Sequence, residues 1–120
     1  MQLPIDFVMR SISTTDPDTL RAHTARRLAF ALRHFGDRAR RLTVRCDDVN
    51  GPRRGIDARC SISLVLRNGR HVAVDAVTAW PFSSITLAAR RLGTTIRRDM
   101  DRAQRRARRP RRKAFDPSST

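Results

Sequence analysis

Ile56-Asp57-Ala58-Arg59-Cys60-Ser61-Ile62-Ser63-Leu64-Val65-Leu66-Arg67-Asn68-Gly69-Arg70-His71-Val72-Ala73-Val74-Asp75-Ala76 is the stretch that decides the fold. Ile56, Ala58, Cys60, Ile62, Leu64 and Leu66 alternate with Asp57, Arg59, Ser61, Ser63, Val65 and Arg67. A period of two with one apolar face is the pattern of a half-buried β-strand. Asn68-Gly69 then turns the chain into a second strand, from His71 to about Ala79. A two-residue Asn-Gly turn would pair Arg67 with Arg70 and set Val72 and Val74 on the face of Ser61 and Ser63. A three-residue loop, with Gly69 in a left-handed bulge, instead pairs Leu66 with Arg70, Leu64 with Val72 and Ile62 with Val74. A slip of one residue moves every side chain to the other face, so the bulged turn is expected.

Working back from this hairpin, Asp48 to Gly55 reads as a loop around Asn50-Gly51-Pro52. Before it, Leu42, Val44 and Cys46 alternate with Thr43, Arg45 and Asp47, which gives another strand. Asp16-Pro17-Asp18 has the marks of a helix start: a capping carboxylate, a proline for the first position and an acid at the positive end of the dipole. Leu20, Thr24, Leu28, Ala31, Leu32 and Phe35 then share one side, which predicts a helix from about Asp18 to Phe35, stopped by Gly36. Leu3, Ile5, Phe7 and Met9 predict a first strand from about Gln2 to Ser11.

Working forward, Pro81 suits the opening of a second helix and Pro110 ends it. Phe82, Ile85, Ala89, Leu92, Ile96, Met100, Ala103 and Ala107 form one apolar stripe about seven turns long. Gly93 weakens the helix locally and leaves room for close packing. The order is therefore β-α-β-β-β-α. Each strand has one apolar face, so two amphipathic helices on that face complete an α+β, two-layer sandwich over a four-stranded mixed sheet. The connection through the first helix implies parallel pairing of the first two strands, and the rest is an antiparallel meander. One domain is expected over 1–109, with a disordered basic tail over 110–120.

Charge narrows the function. The chain of 120 residues carries 26 basic and 11 acidic residues, a net charge of +15. Every acid is Asp, and Lys113 is the one Lys. Such an excess opposes compaction and favours a polyanionic partner. Arg91, Arg98, Arg102, Arg105 and Arg109 fall within about 60° of arc on the second helix, about 140° from its apolar stripe. Arg90, Arg97 and Arg108 flank them, and Arg106 lies in the same run. From Arg90 to Lys113 twelve basic residues face two acids, Asp99 and Asp101. A merely solvated helix would interleave acids to gain pairs at i,i+4, so the stripe reads as a nucleic-acid contact. On the first helix Arg26 and Arg33 lie opposite Leu28, with Arg27 beside them and Phe30 between them. Phe30 suits either stacking on a base or ribose, or covering a sheet edge or tail. Arg53 and Arg54 form a third basic cluster in the long loop.

Other classes find less support. Asp47-Asp48 diverge along a strand, and two Cys with scattered His23, His34 and His71 make a poor metal set. No nucleophile motif or Gly-rich phosphate loop is present, so no enzyme, cofactor or small-molecule substrate is expected. Cys46 and Cys60 read as buried free thiols, nearly opposite each other and facing the helices. Trp80 reads as a hydrophobic plug where the second helix begins, with base stacking as the other role. No run approaches the ~20 apolar residues of a membrane span, and Met1 to Arg10 is unlike a secretory signal, so a cytoplasmic location is expected.

The sequence also resembles the ribosome hibernation promoting factor and ribosome-associated inhibitor family, the sigma-54 modulation proteins. The resemblance runs from Met1-Gln2-Leu3 through Leu20-Arg21 and Arg27-Leu28 to Phe35. It is closest at Trp80-Pro81-Phe82-Ser83-Ser84-Ile85 and Arg91-Leu92. It implies a double-stranded-RNA-binding-like fold that binds small-subunit rRNA between head and body, in the channel used by mRNA and tRNA. Such a protein inhibits translation and stores ribosomes during stress or stationary phase. Family-basic positions match Arg27, Arg91, Arg98 and Arg102, while Met100 and Gln104 replace two others; the cluster from Arg105 to Lys113 would compensate. The resemblance is to short members, without the extra C-terminal domain by which long members promote ribosome dimers, and the free protein is expected to be a monomer. Two alternatives remain: a general RNA- or DNA-binding module without ribosome specificity, and an adaptor whose basic helix grips an acidic protein.

Overall fold

The computed structural model describes residues 5–10, 16–48 and 57–108. Its elements are β1 (Ile5–Arg10), α1 (Pro17–Ala31), a 3-10 turn (Gly36–Arg38), β2 (Ala39–Asp48), β3 (Ala58–Leu66), β4 (His71–Thr78) and α2 (Pro81–Arg108). The sheet order is β1-β2-β3-β4, with β1 and β2 parallel and the other pairs antiparallel. This is the expected α+β sandwich.

The register follows from one-sided burial. Leu42, Leu64 and Val72 form one cross-sheet row, Val44, Ile62 and Val74 the next, and Cys46, Cys60 and Ala76 a third. These rows meet Leu20, Leu28 and Leu32 of the α1 segment and Ile85, Leu92 and Ile96 of α2 in one core. Each fully buried Leu or Ile contributes ~1.5–3 kcal/mol. The β3–β4 turn is the bulged one: Gly69 has φ 88°, its N–H donates to Leu66 O (2.9 Å), and Leu66 N–H donates to Arg70 O (2.8 Å). Only glycine takes that left-handed conformation without steric cost.

Four expectations need correction. First, α1 ends at Ala31, not Phe35. Beyond it Arg33 N–H donates to Phe30 O (3.3 Å) and Phe35 N–H to Leu32 O (2.9 Å). These tighter turns reverse the chain toward β2 while Leu32 stays buried and Phe35 half-buried, so the apolar spacing continues past the helix. Second, β2 begins at Ala39, because a bulge at Arg40 shifts the register between Ala39 and Arg41. The extra residue puts both Ala39 and Leu42 inside and breaks the alternation that marks a strand in the sequence. Third, Trp80 does not plug the core; it is 59% exposed and leans on Phe82 at 5.2 Å between ring centroids. Pro81 fills the buried position at the start of α2. Fourth, the buried part of α2's stripe stops at Ile96, with Met100 half-buried, and residues 101–108 are all exposed. Gln2 to Pro4, Ser11, Ile56, the Asp48–Gly55 loop beyond Asp48, Arg109 and the tail lie outside the described residues.

Local chemistry accounts for the helix starts and contacts. Asp16 Oδ2 accepts Thr19 N–H (2.9 Å) and the Thr19 hydroxyl (2.8 Å), which holds its carboxyl below the ordinary range. Gly93 of α2 faces α1: a Cβ there would stand 3.4 Å from Ala31 O and 3.7 Å from Ala31 Cβ. His23 Nε2 meets Thr86 Oγ1 at 3.0 Å. The pairings His23 with Thr86 and Ala31 with Gly93 make the two helices parallel neighbours.

Two predictions follow from this packing. Gly93→Ala just fits and gains helix propensity, so thermal unfolding should show a stabilisation of up to ~1 kcal/mol, whereas Gly93→Leu should destabilise by ~1–3 kcal/mol. Cys46 and Cys60 are buried free thiols in register across β2 and β3. A hydrogen bond with Cys46, then burial, pushes the Cys60 thiol far above its ordinary range. A bulky maleimide should therefore label the native protein slowly and the urea-unfolded protein fast; rapid native labelling of both would contradict the register.

Candidate nucleic-acid interface

Burial of Ile85, Leu92 and Ile96 sets the rotation of α2, and this aims the opposite arc outward. Arg90, Arg91, Arg97, Arg98, Arg102, Arg105, Arg106 and Arg108 are all exposed. Arg91 and Arg98 lie toward the edge strand β4. Arg91 Nη1 donates to Asp75 O at 2.7 Å, which fastens one guanidinium to the sheet edge. Between β4 and α2 lies an open cleft of about 380 Å³, lined by Val74, Asp75, Arg90, Arg91, Thr94, Thr95 and Arg98. Three guanidinium groups and two hydroxyls offer many donors there, and the one carboxylate is already engaged: Arg59 holds Asp75 Oδ2 at 2.7 and 3.2 Å.

The acids of the run do little to neutralise α2. Asp99 pairs with Arg70 from the hairpin turn at 2.8 Å and is mostly covered, and Asp101 is exposed. Beyond Met100 the helix continues past the core, carrying Arg102, Arg105, Arg106 and Arg108 on turns with no buried residue. Ala103 and Ala107 are exposed there too.

Arg26 on α1 and Arg33 in the turn just after it are exposed, and Arg27 of α1 is half-buried. Phe30 is 57% exposed, so among the described residues it covers no sheet edge, and the tail it could instead cover lies outside them. The Arg33 guanidinium lies 4.0 Å from the Phe30 ring centroid and its Nη1 donates to Phe30 O (2.8 Å). Arg27 stands over the ring at 5.9 Å, and its Nε is buried with no partner among the described residues. His23 sets its ring edge-on to Phe82 at 5.0 Å. Burial pushes its imidazole below the ordinary range, and the charges of Arg26 and Arg27 act in the same direction.

The structure thus gathers Arg90, Arg91 and Arg98 around one cleft, Arg26, Arg27 and Arg33 around Phe30, and Arg102, Arg105, Arg106 and Arg108 along the free end of α2, with Arg97 exposed on α2 before that end. Arg109, Arg53 and Arg54 lie outside the described residues. Sequence reading passed over Thr94 and Thr95, although they sit three and four residues from Arg91 and Arg98, the spacing that shares a helix face. Among the described residues no group of three potential metal ligands occurs, and no helix is long and apolar enough to cross a membrane.

No protein-family model matches the sequence, and no curated protein does. Solved structures do match. The N-terminal domain of Protein Y from Thermus thermophilus aligns with a TM-score of 0.62 at 23% identity, over 82% of this chain and 98% of that one. A ribosomal subunit interface protein from Coxiella burnetii aligns with a TM-score of 0.65 at 14% identity, over 81% of this chain and 97% of that one. The chain has their fold. It is also the fold that the resemblance in the sequence implies.

The cleft and the free helix end yield a quantitative expectation. The logarithm of RNA affinity should fall linearly with log salt, and Arg98→Ala and Arg102→Ala should each flatten that slope by about 0.7–0.9. Filter binding at four salt concentrations measures this; an affinity independent of salt would exclude phosphate contacts.

Proposed function

We propose that this protein is a ribosome-associated translation inhibitor, a hibernation factor that binds small-subunit rRNA in the decoding channel and keeps mRNA and tRNA out during stress or stationary phase. The observation that carries the reading is the pair of parallel helices with arginine faces left largely unneutralised, on a fold shared with a ribosomal subunit interface protein. The contacts would be Arg26 and Arg27 on α1, Arg33 in the turn after it, and Arg90, Arg91, Arg97, Arg98, Arg102, Arg105 and Arg106 on α2, with Arg109 following. Arginine suits this task because its planar fork binds phosphate oxygens in pairs and stays charged at any physiological pH.

The mechanism is steric. A backbone-reading domain of residues 1–109 fills space that the substrates of translation need, and it performs no catalysis. It requires no cofactor and acts as a monomer in the cytoplasm, one copy per ribosome. The tail from Pro110 adds charge to the interface without adding to the core. A general RNA-binding module is the second reading, favoured by a cleft whose donors suit any phosphate backbone.

Sedimentation with ribosomes and titration of an in-vitro translation reaction test the proposal together. Co-migration with small subunits, full inhibition near one copy per ribosome and relief by excess initiator tRNA are expected. Arg91→Asp, Arg98→Asp and Arg102→Asp combined should abolish binding, because attraction becomes repulsion along one face. Tight ribosome binding with unchanged tRNA occupancy would remove the decoding channel from the proposal. Equal binding to arbitrary RNA duplex would favour the general module.

A further inference from the structure

We infer that Phe30, clamped by Arg33 on the outer face of α1, is a stacking site for one unpaired nucleobase of RNA. The inference rests on the RNA-binding reading above and assigns a role that phosphate contacts do not cover. A single exposed apolar residue is ordinary and means nothing alone. Three observations set Phe30 apart. Phe30 is 57% exposed on a helix whose other large apolar residues are in the core. It is ringed by cations: Arg33 at 4.0 Å, Arg27 at 5.9 Å, and Arg26 one turn before it on the same face. None of these arginines is in an ion pair among the described residues. The acids at the start of α1, Asp16 and Asp18, lie at least twelve residues away from Phe30, about 18 Å along the axis.

The geometry suits a nucleotide. Arg33 both stacks on the ring and donates to Phe30 O (2.8 Å), so the platform is organised before anything binds. A base can extend this stack while Arg26, about 5–6 Å away on the same face, takes a flanking phosphate. A protein partner that buried the ring would also have to desolvate the Arg33 guanidinium above it, a penalty of several kcal/mol unless it supplied a matched acid. The base must be unpaired, because the faces of paired bases are covered by their neighbours in the helix. Trp80 is as exposed but lacks this setting: its described ring contact is Phe82, and no cation among the described residues lies over it.

Phe30→Leu keeps an apolar, helix-compatible side chain at an exposed position, so folding should be unaffected, as a thermal melt will verify. Affinity for a single-stranded oligoadenosine 12-mer, and for intact ribosomes, should fall about 5- to 150-fold, the equivalent of ~1–3 kcal/mol per stacked base. The salt dependence should keep its slope, because no phosphate contact is removed. Phe30→Trp should restore affinity, and Arg26→Ala should flatten the slope by about 0.7. Equal affinity of Phe30→Leu and the parent for both the oligomer and the ribosome overturns the inference. A loss seen on ribosomes and absent on the oligomer would mark a protein contact and overturn it as well. Failure of the parent to bind either RNA or ribosomes would instead sink the RNA-binding reading itself.

Discussion

Burial of Ile85, Leu92 and Ile96 against the sheet sets how α2 is turned about its own axis. Each such side chain contributes ~1.5–3 kcal/mol, whereas like charges one turn apart on a solvated helix cost a few tenths each. Packing therefore decides, and the arginines accept whatever direction it leaves them. They face away from the core, with Asp99 diverted to Arg70 and Asp75 to Arg59. The surface stays short of negative charge, and an outside polyanion can supply it.

The sheet reaches its one-sided character by a few local devices. Gly69 lets β4 re-enter with Val72 and Val74 in the rows of Leu64 and Ile62. The bulge at Arg40 does the same service at the other end, bringing Ala39 in alongside Leu42. Only the first was legible in the sequence. The turn lies between two long alternating runs, so the two registers could be compared. The bulge lies at the start of a run, where an interrupted alternation looks like no strand at all. The end of α1 was hidden for a related reason. Leu32 and Phe35 keep helical spacing although the backbone has already tightened into shorter turns, because both still lean on the core.

The candidate site divides in the same way. Which arginines share a face of α2 follows from helical period alone, and the described ones, Arg91, Arg98, Arg102 and Arg105, are all exposed. What each one touches depends on elements distant in the chain. Arg91 finds a carbonyl on β4 and Asp99 finds the hairpin turn. An aromatic before a helix-opening proline suggests burial, yet Trp80 is exposed because Pro81 occupies the interior position itself.

Beyond Met100, α2 is a cantilever: eight exposed residues, 101–108, about 12 Å long at 1.5 Å per residue. Nothing in the core depends on its side chains, so substitutions there should change unfolding free energy by no more than ~0.5 kcal/mol. In the proposed RNA complex, each arginine gained or lost would still alter the number of counterions released, and well-separated changes of this kind add. The arm thereby separates two properties that most small domains cannot vary independently. Grip on the partner can be raised or lowered in graded steps while the body of the protein remains the same.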